Sequence, residues 1–223
     1  MEEGEGEKKI EESKSEEEAK KEEEQTKSHK SILKWFFVFV IAFAVVFAAT
    51  SFLINSSKHF DYSGIEFNII QYGKITFYRT TFPVTYLDGV TGNLVSGNYE
   101  ITLRNDPRQL NKSIPFNGQV YLMHNITINS TRKVDCEGDG IIAMANFWKL
   151  EIFEMNINIT EGLNVSCDSK GSSIHINVIP SNISSIEQIG PACYNFNVNN
   201  CEIIPVMERY MIETFAEWNK RWT

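Results

Sequence analysis

The densest polar cluster in the chain is Arg104-Asn105-Asp106-Pro107-Arg108. Two guanidiniums around a turn can grip a carboxylate or a phosphate through paired N–H donors. The same residues also suit the end of a strand, where Asn105 and Asp106 open a turn at Pro107 and the arginines pair with neighbouring acids. Arg104, Asn105, Asp106 and Arg108 are therefore the candidate binding residues, with a structural turn as the competing reading.

Four cysteines, Cys136, Cys167, Cys193 and Cys201, are the second group with chemical potential. There is no CxxC pair, and His59, His124 and His175 show no ligand spacing, which disfavours zinc. Four thiols allow three disulfide pairings. Cys193 with Cys201 and Cys136 with Cys167 close the shortest structural units and are the expected bridges; unpaired structural cysteines are the alternative. Cys136 also precedes a helix, where a thiol can be activated, but Asp135, Glu137 and Asp139 oppose a thiolate there. Gly138-Asp139-Gly140-Ile141-Ile142-Ala143 fits G-x-G-x-x-A, yet Asp135-Cys136-Glu137 is a poor core strand to precede a dinucleotide turn. No G-x-S-x-G, H-E-x-x-H or P-loop occurs, and Glu151 with Glu154 falls on the solvent side of the inferred helix. No catalytic residue, metal site or cofactor is expected.

These residues depend on a division made by Trp35 to Ile54, an uncharged apolar run broken only by Thr50 and Ser51. As a helix it is long enough for the hydrocarbon core of a bilayer. A buried core helix would rarely be apolar all round for so long. A cleaved signal peptide would have a short basic leader, whereas the leader here is long and acidic. A retained signal-anchor helix over 32–54 is the expectation. Lys20, Lys21, Lys27, Lys30 and Lys34 precede it closely, so the N-terminus is expected in the cytoplasm and the C-terminal domain outside the cell membrane. Residues 1–31 have too little apolar surface to fold and read as a disordered acidic tail, with i,i+4 Glu–Lys pairs that could support a transient helix or coiled coil.

The net charge of −8 divides evenly. Residues 1–34 carry twelve Glu and eight Lys, and residues 55–223 carry seventeen acids and thirteen bases, −4 in each case. Neither part is basic, so nucleic acid is not an expected partner. Seven N-x-S/T sequons follow the apolar run, at Asn55, Asn111, Asn125, Asn129, Asn158, Asn164 and Asn182. All but Asn55, which is close to the membrane, are candidates for glycosylation, and those in strands need to face outward.

Residues 55–63 read as a polar tether to an outer α+β domain over 64–223. Ile65, Phe67 and Ile69 alternate with polar residues, as do Tyr99, Ile101 and Leu103, and Pro83 suggests an edge or bulge in a strand from Ile75 to Tyr86. With a further strand over Gln119 to Ile128, the first half reads as antiparallel β-structure. Next comes a strand-helix-strand unit. Its helix is capped by Asp139 and buries Ile141, Met144, Ala145, Trp148 and Ile152, and its returning strand carries Met155, Ile157 and Ile159. Ile174, Ile176 and Val178 form another strand, with His175 pointing away from the core. After Tyr194, Phe196 and Val198, Pro205 opens a C-terminal amphipathic helix with a stripe of Met207, Met211, Phe215, Trp218 and Trp222.

Leu103 to Arg108, Cys136 with Gly140-Ile141 and Ala143 to Asn146, Cys193-Tyr194, and Asn200-Cys201-Glu202-Ile203 resemble a group of uncharacterised single-pass membrane proteins of archaeal genomes. The resemblance covers most of residues 60–215. It implies an anchored outer domain and no activity. The functional expectation is a binding or structural module of the cell envelope that contacts another envelope protein or its own copies. An extracytoplasmic enzyme with thiol or envelope-polymer chemistry is the alternative.

Overall fold

The computed structural model describes residues 34–52, 58–87, 91–130, 136–161, 167 and 170–222. The chain falls into two units, residues 1–57 and 58–223. In the first, helix α1 (Lys34–Phe52) is 19 residues long and buries none of its side chains within the protein. At 1.5 Å per residue it extends about 28 Å, the length needed to cross a bilayer. The acidic tail lies outside the described residues.

The second unit holds two sheets. Strands β1 (His59–Tyr62), β2 (Ile65–Tyr72), β3 (Ile75–Leu87) and β4 (Leu94–Leu103) form an antiparallel meander in chain order. Ile65, Phe67, Phe82, Ile101 and Leu103 supply its buried face, as period-two alternation requires. The expected tether at 55–63 is corrected here, because its second half is β1: Phe60 and Tyr62 pack against the core and give the segment a buried face. Pro83 sits where β3 has a ladder on one side only. β2 supplies partners as far as Arg79, and Pro83 faces Asn98 of β4.

Helix α2 (Pro107–Ser113) and the short strand β5 (Phe116–Asn117) lead to the second, mixed sheet, of order β5-β9-β10-β8-β6-β7. Strand β6 (Asn125–Ser130) is followed by helix α3 (Asp139–Phe147), a 3-10 segment (Trp148–Phe153) and β7 (Asn156–Glu161), which lies parallel to β6. This is the expected strand-helix-strand unit. Strands β8 (Ile174–Pro180), β9 (Ser185–Gly190) and β10 (Cys193–Val198) complete the sheet, with β10 parallel to β8 and antiparallel to β9.

The first half is thus antiparallel only through Leu103. The strand expected over Gln119–Ile128 is confined to β6, which pairs in parallel with both β7 and β8. The buried face of α3 also differs from the expected one. Ala143, Phe147, Leu150 and Phe153 point inward, whereas Ile141 is 70% and Trp148 45% exposed. The helix changes to 3-10 geometry after Phe147, so a stripe drawn with α-helical spacing through Ile152 does not remain on one side. Asp139 is the first helical residue, and the capping position belongs to Gly138 at φ 103°.

Helix α4 (Ile203–Trp222) forms the centre of the domain. From Ile203 to Ala216 every residue except Pro205 and Glu213 is buried, including Met207, Met211 and Phe215 of the expected stripe. Tyr210 meets the mixed sheet through Tyr194 and Phe196, both with ring centroids 5.3 Å away. Phe215 meets the antiparallel sheet through Phe82 at 5.1 Å. An apolar helix placed between two sheets buries more than one stripe. Pro205 falls in its first turn, where a missing N–H costs little.

Candidate functional site

The Arg104–Arg108 cluster lies where β4 ends against α4. The backbone N–H groups of Arg104 and Asn105 donate to the Glu208 carboxylate at 2.6 and 2.9 Å, and Asn105 Nδ2 donates to Glu208 Oε2 at 2.8 Å. Glu208 is only 1% exposed. Burial pushes its carboxyl above the ordinary range, while the bonds from Arg104 and Asn105 and the charge of Arg104 pull it down. Lys149 carries the complementary effect. Burial lowers its ammonium, and the Glu208 charge opposes the change.

Asp106 caps α2, accepting Arg108 N at 3.0 Å, and its carboxylate binds the Arg108 guanidinium at 2.9 and 2.7 Å. Burial works to raise the Asp106 pKa, but the bonds from Arg108 outweigh it and hold the carboxyl below its usual range. The Arg108 guanidinium also lies 4.0 Å from the ring centroid of Phe60 on β1. Asn105, Asp106 and Arg108 thus tie β1, β4, α2 and α4 together, and the Arg104 side chain is exposed. Pro107 opens a helix here instead of ending in a simple turn. Glu208 and Arg209 escaped the sequence reading because charged residues inside an apolar stripe ordinarily face solvent. Arg209 is buried and donates to Ile114 O at 3.3 Å, to Asn111 Oδ1 at 2.8 Å and to Glu213.

The sulfurs pair as Cys136–Cys201 and Cys167–Cys193, with Cα–Cα separations of 5.4 and 5.6 Å. This overturns the expected Cys193–Cys201 and Cys136–Cys167 bridges. Cys193 begins β10 and Cys201 follows its far end, so a strand of roughly 17 Å separates two residues that a disulfide needs within about 7 Å. Because β10 runs parallel to β8, Cys193 lies in register with His175 near the start of β8, where the chain arrives from Cys167. Cys201 instead lies before α4 and meets Cys136 at the entrance to α3. The glycines of the G-x-G-x-x-A stretch serve that entrance. β6 ends at Ser130 and α3 begins at Asp139, so eight residues separate strand from helix and the tight strand-to-helix turn of a dinucleotide site is not formed.

The mixed sheet presents a polar outer face. In register across it lie Asn129, Asn177, Asn195 and Glu187, flanked by Thr127, His175 and Asn197. Asn177 Nδ2 donates to Asn195 Oδ1 at 3.4 Å and Asn197 Nδ2 to Ser185 Oγ at 2.9 Å. Asn129 Oδ1 and His175 Nδ1 are buried there without a hydrogen-bond partner. His175 is on the outer face as expected, with Nε2 3.0 Å from Ser173 Oγ. Of the sequons, Asn125, Asn158 and Asn182 are exposed, Asn129 is half-buried, and Asn111 is exposed but bonded to Arg209. Asn55 and Asn164 lie outside the described residues. Among the described residues no group of three or more His, Cys, Asp or Glu is placed to hold a metal ion.

The fold and its bracing define a class: an α+β domain closed by two disulfides, in a chain that also carries one apolar helix of membrane-spanning length. Compared with protein-family models, curated proteins and solved structures, the chain has no significant match.

Proposed function

We propose that the chain is a single-pass membrane protein of the cell envelope, with its N-terminus in the cytoplasm and a disulfide-braced domain outside that acts through surface contact. The observation that carries this reading is the pairing of all four cysteines in a domain joined to an exposed apolar helix of 19 residues. Disulfides persist in oxidising compartments, and a helix apolar on every side needs lipid around it. The lysines before the helix favour the stated orientation, and the resemblance to archaeal single-pass proteins supports the anchor without bringing an activity.

The contact surface is the polar outer face of the mixed sheet, whose amides and hydroxyls stand in register for a partner's hydrogen-bonding groups. With no free thiol, thiol chemistry loses its nucleophile. The partner is another envelope protein or a second copy of the chain, held at high effective concentration by the membrane. Mild cross-linking in intact membranes followed by affinity capture is expected to trap one specific partner or a self-oligomer, and to lose it when Asn177 and Asn195 are both changed to Lys. Capture that is absent, or indifferent to this pair of changes, overturns the proposal.

A further inference from the structure

We infer that α3 and the 3-10 segment after it present a docking ridge for a cationic amphipathic helix of a partner protein. Ala143, Phe147, Leu150 and Phe153 take the inner face, which leaves Ile141, Ala145 and Trp148 on the outer one. Their spacing of four and then three residues lines them up over two turns, roughly 10 Å of helix. Ile141 is 70% and Trp148 45% exposed, and the half-buried Ile142, Met144 and Ile152 flank them. A single exposed apolar side chain is ordinary, whereas a contiguous row marks a contact surface. Ala145 between two larger side chains leaves a notch that accepts a side chain of a crossing helix.

Charge selects the occupant, because the ridge ends in acid on both sides. Glu137 is exposed just before α3. Glu151 follows Trp148 by three residues, the spacing at which 3-10 side chains eclipse, and Glu154 is exposed after it. Asp139 adds a fourth acid in the first turn of α3. Against these four, residues 136–154 hold one cation, Lys149, whose Nζ is turned to Asn146 Oδ1 at 2.9 Å. A second copy would bring the same acidic rim against this one, and anionic lipid would be repelled by it. A helix with Lys or Arg on either side of an apolar stripe is complementary to both the row and its rim. The contact requires neither the polar sheet face nor the membrane anchor.

The probe is a synthetic helical peptide with photo-reactive leucines at i, i+3, i+4 and i+7 flanked by lysines, and its twin has glutamate at every lysine. Each is irradiated with the full chain in non-ionic detergent, and adducts are mapped by mass spectrometry. Adducts of the lysine peptide are expected to concentrate within residues 137–154, to exceed those of the twin about tenfold, and to fall about tenfold in Ile141→Ser. Glu151→Gln with Glu154→Gln, both at exposed positions, is expected to lower them about threefold. Urea midpoints unchanged from wild type show that these variants keep the fold. Adducts spread over the domain, equal yields from the two peptides, or variants that label as well as wild type overturn the inference. An oligomer in detergent that Ile141→Ser dissociates, without peptide adducts, overturns it in favour of a second copy. A photo-reactive anionic lipid that labels the ridge more than the lysine peptide does overturns it in favour of a lipid surface.

Discussion

Glu208 Oε1 accepts the backbone N–H of Arg104 at 2.6 Å, joining the second turn of the central helix to the end of the antiparallel sheet. The other carboxylate oxygen takes both donors of Asn105. Removing this acceptor leaves buried N–H groups unpaired, at a cost of about 2–4 kcal/mol. Glu208→Ala is expected to destabilise the disulfide-intact chain by that amount in urea unfolding in detergent. Arg104→Gln, which keeps the backbone donor, is expected to cost less than about 1 kcal/mol.

The two carboxylates of this junction respond to pH in opposite directions. Burial raises the Glu208 pKa in the folded state, so its contribution is complete below the ordinary glutamate value and is lost as pH rises through the raised one. Asp106 is lowered, so its contribution is present above the ordinary aspartate value and is lost as pH falls through the lowered one. Glu208→Gln is expected to flatten the decline of stability toward neutral pH, and Asp106→Asn the decline into acid. Unfolding midpoints measured across pH for both variants check the signs, and an unchanged profile in either would refute its assignment.

The legible parts of this fold are those with a strong period. The alternation at Ile65-Phe67 and Ile101-Leu103, the returning strand at Ile157 and the Met207–Phe215 stripe all occupy the elements expected of them. Junction chemistry was not legible. Glu208 and Arg209 lie among the apolar residues of the C-terminal stripe, and only the tertiary fold gives them partners: Arg104 and Asn105 at the end of β4 for Glu208, and Ile114 and Asn111 for Arg209. α2 was missed because Asp106-Pro107 suits a turn and a helix start equally well. The expected disulfides join cysteines that are near in sequence, whereas the parallel pairing of β8 with β10 brings Cys193 beside the chain leaving Cys167.

The observed connectivity makes a quantitative prediction. Cys136–Cys201 spans 65 residues and Cys167–Cys193 spans 26, so loop closure gives about 4.3 and about 3.5 kcal/mol respectively. Paired Cys→Ser variants are expected to lose stability in that order. Peptide mapping without reduction is expected to recover both bridges and no Cys193–Cys201 peptide.

The sequons divide by exposure and engagement. Asn125, Asn158 and Asn182 present exposed side chains, whereas Asn129 is half-buried with its Oδ1 enclosed. If the chain meets a glycosylation machinery, glycopeptide mass spectrometry is expected to find Asn125, Asn158 and Asn182 occupied and Asn129 bare. Glycan on Asn129 would require that strand to be modified before the sheet closes.

The last prediction concerns the face of α3. Phe147 is fully buried and stacks near Tyr210 of α4 at 5.9 Å, while Ile141 stands on the opposite side in solvent. Phe147→Ala removes a ring from the contact between two helices and leaves a cavity, a change that costs about 3–5 kcal/mol in well-packed cores. Ile141→Ser removes surface that is already wet, and a loss within about 0.5 kcal/mol is expected. The amphipathic stripe through Ile141 and Trp148 predicts the reverse order, so urea unfolding of these two variants decides between the faces. A large loss at Ile141 in the intact membrane, with none in detergent, would instead assign that face to a contact made only in the envelope.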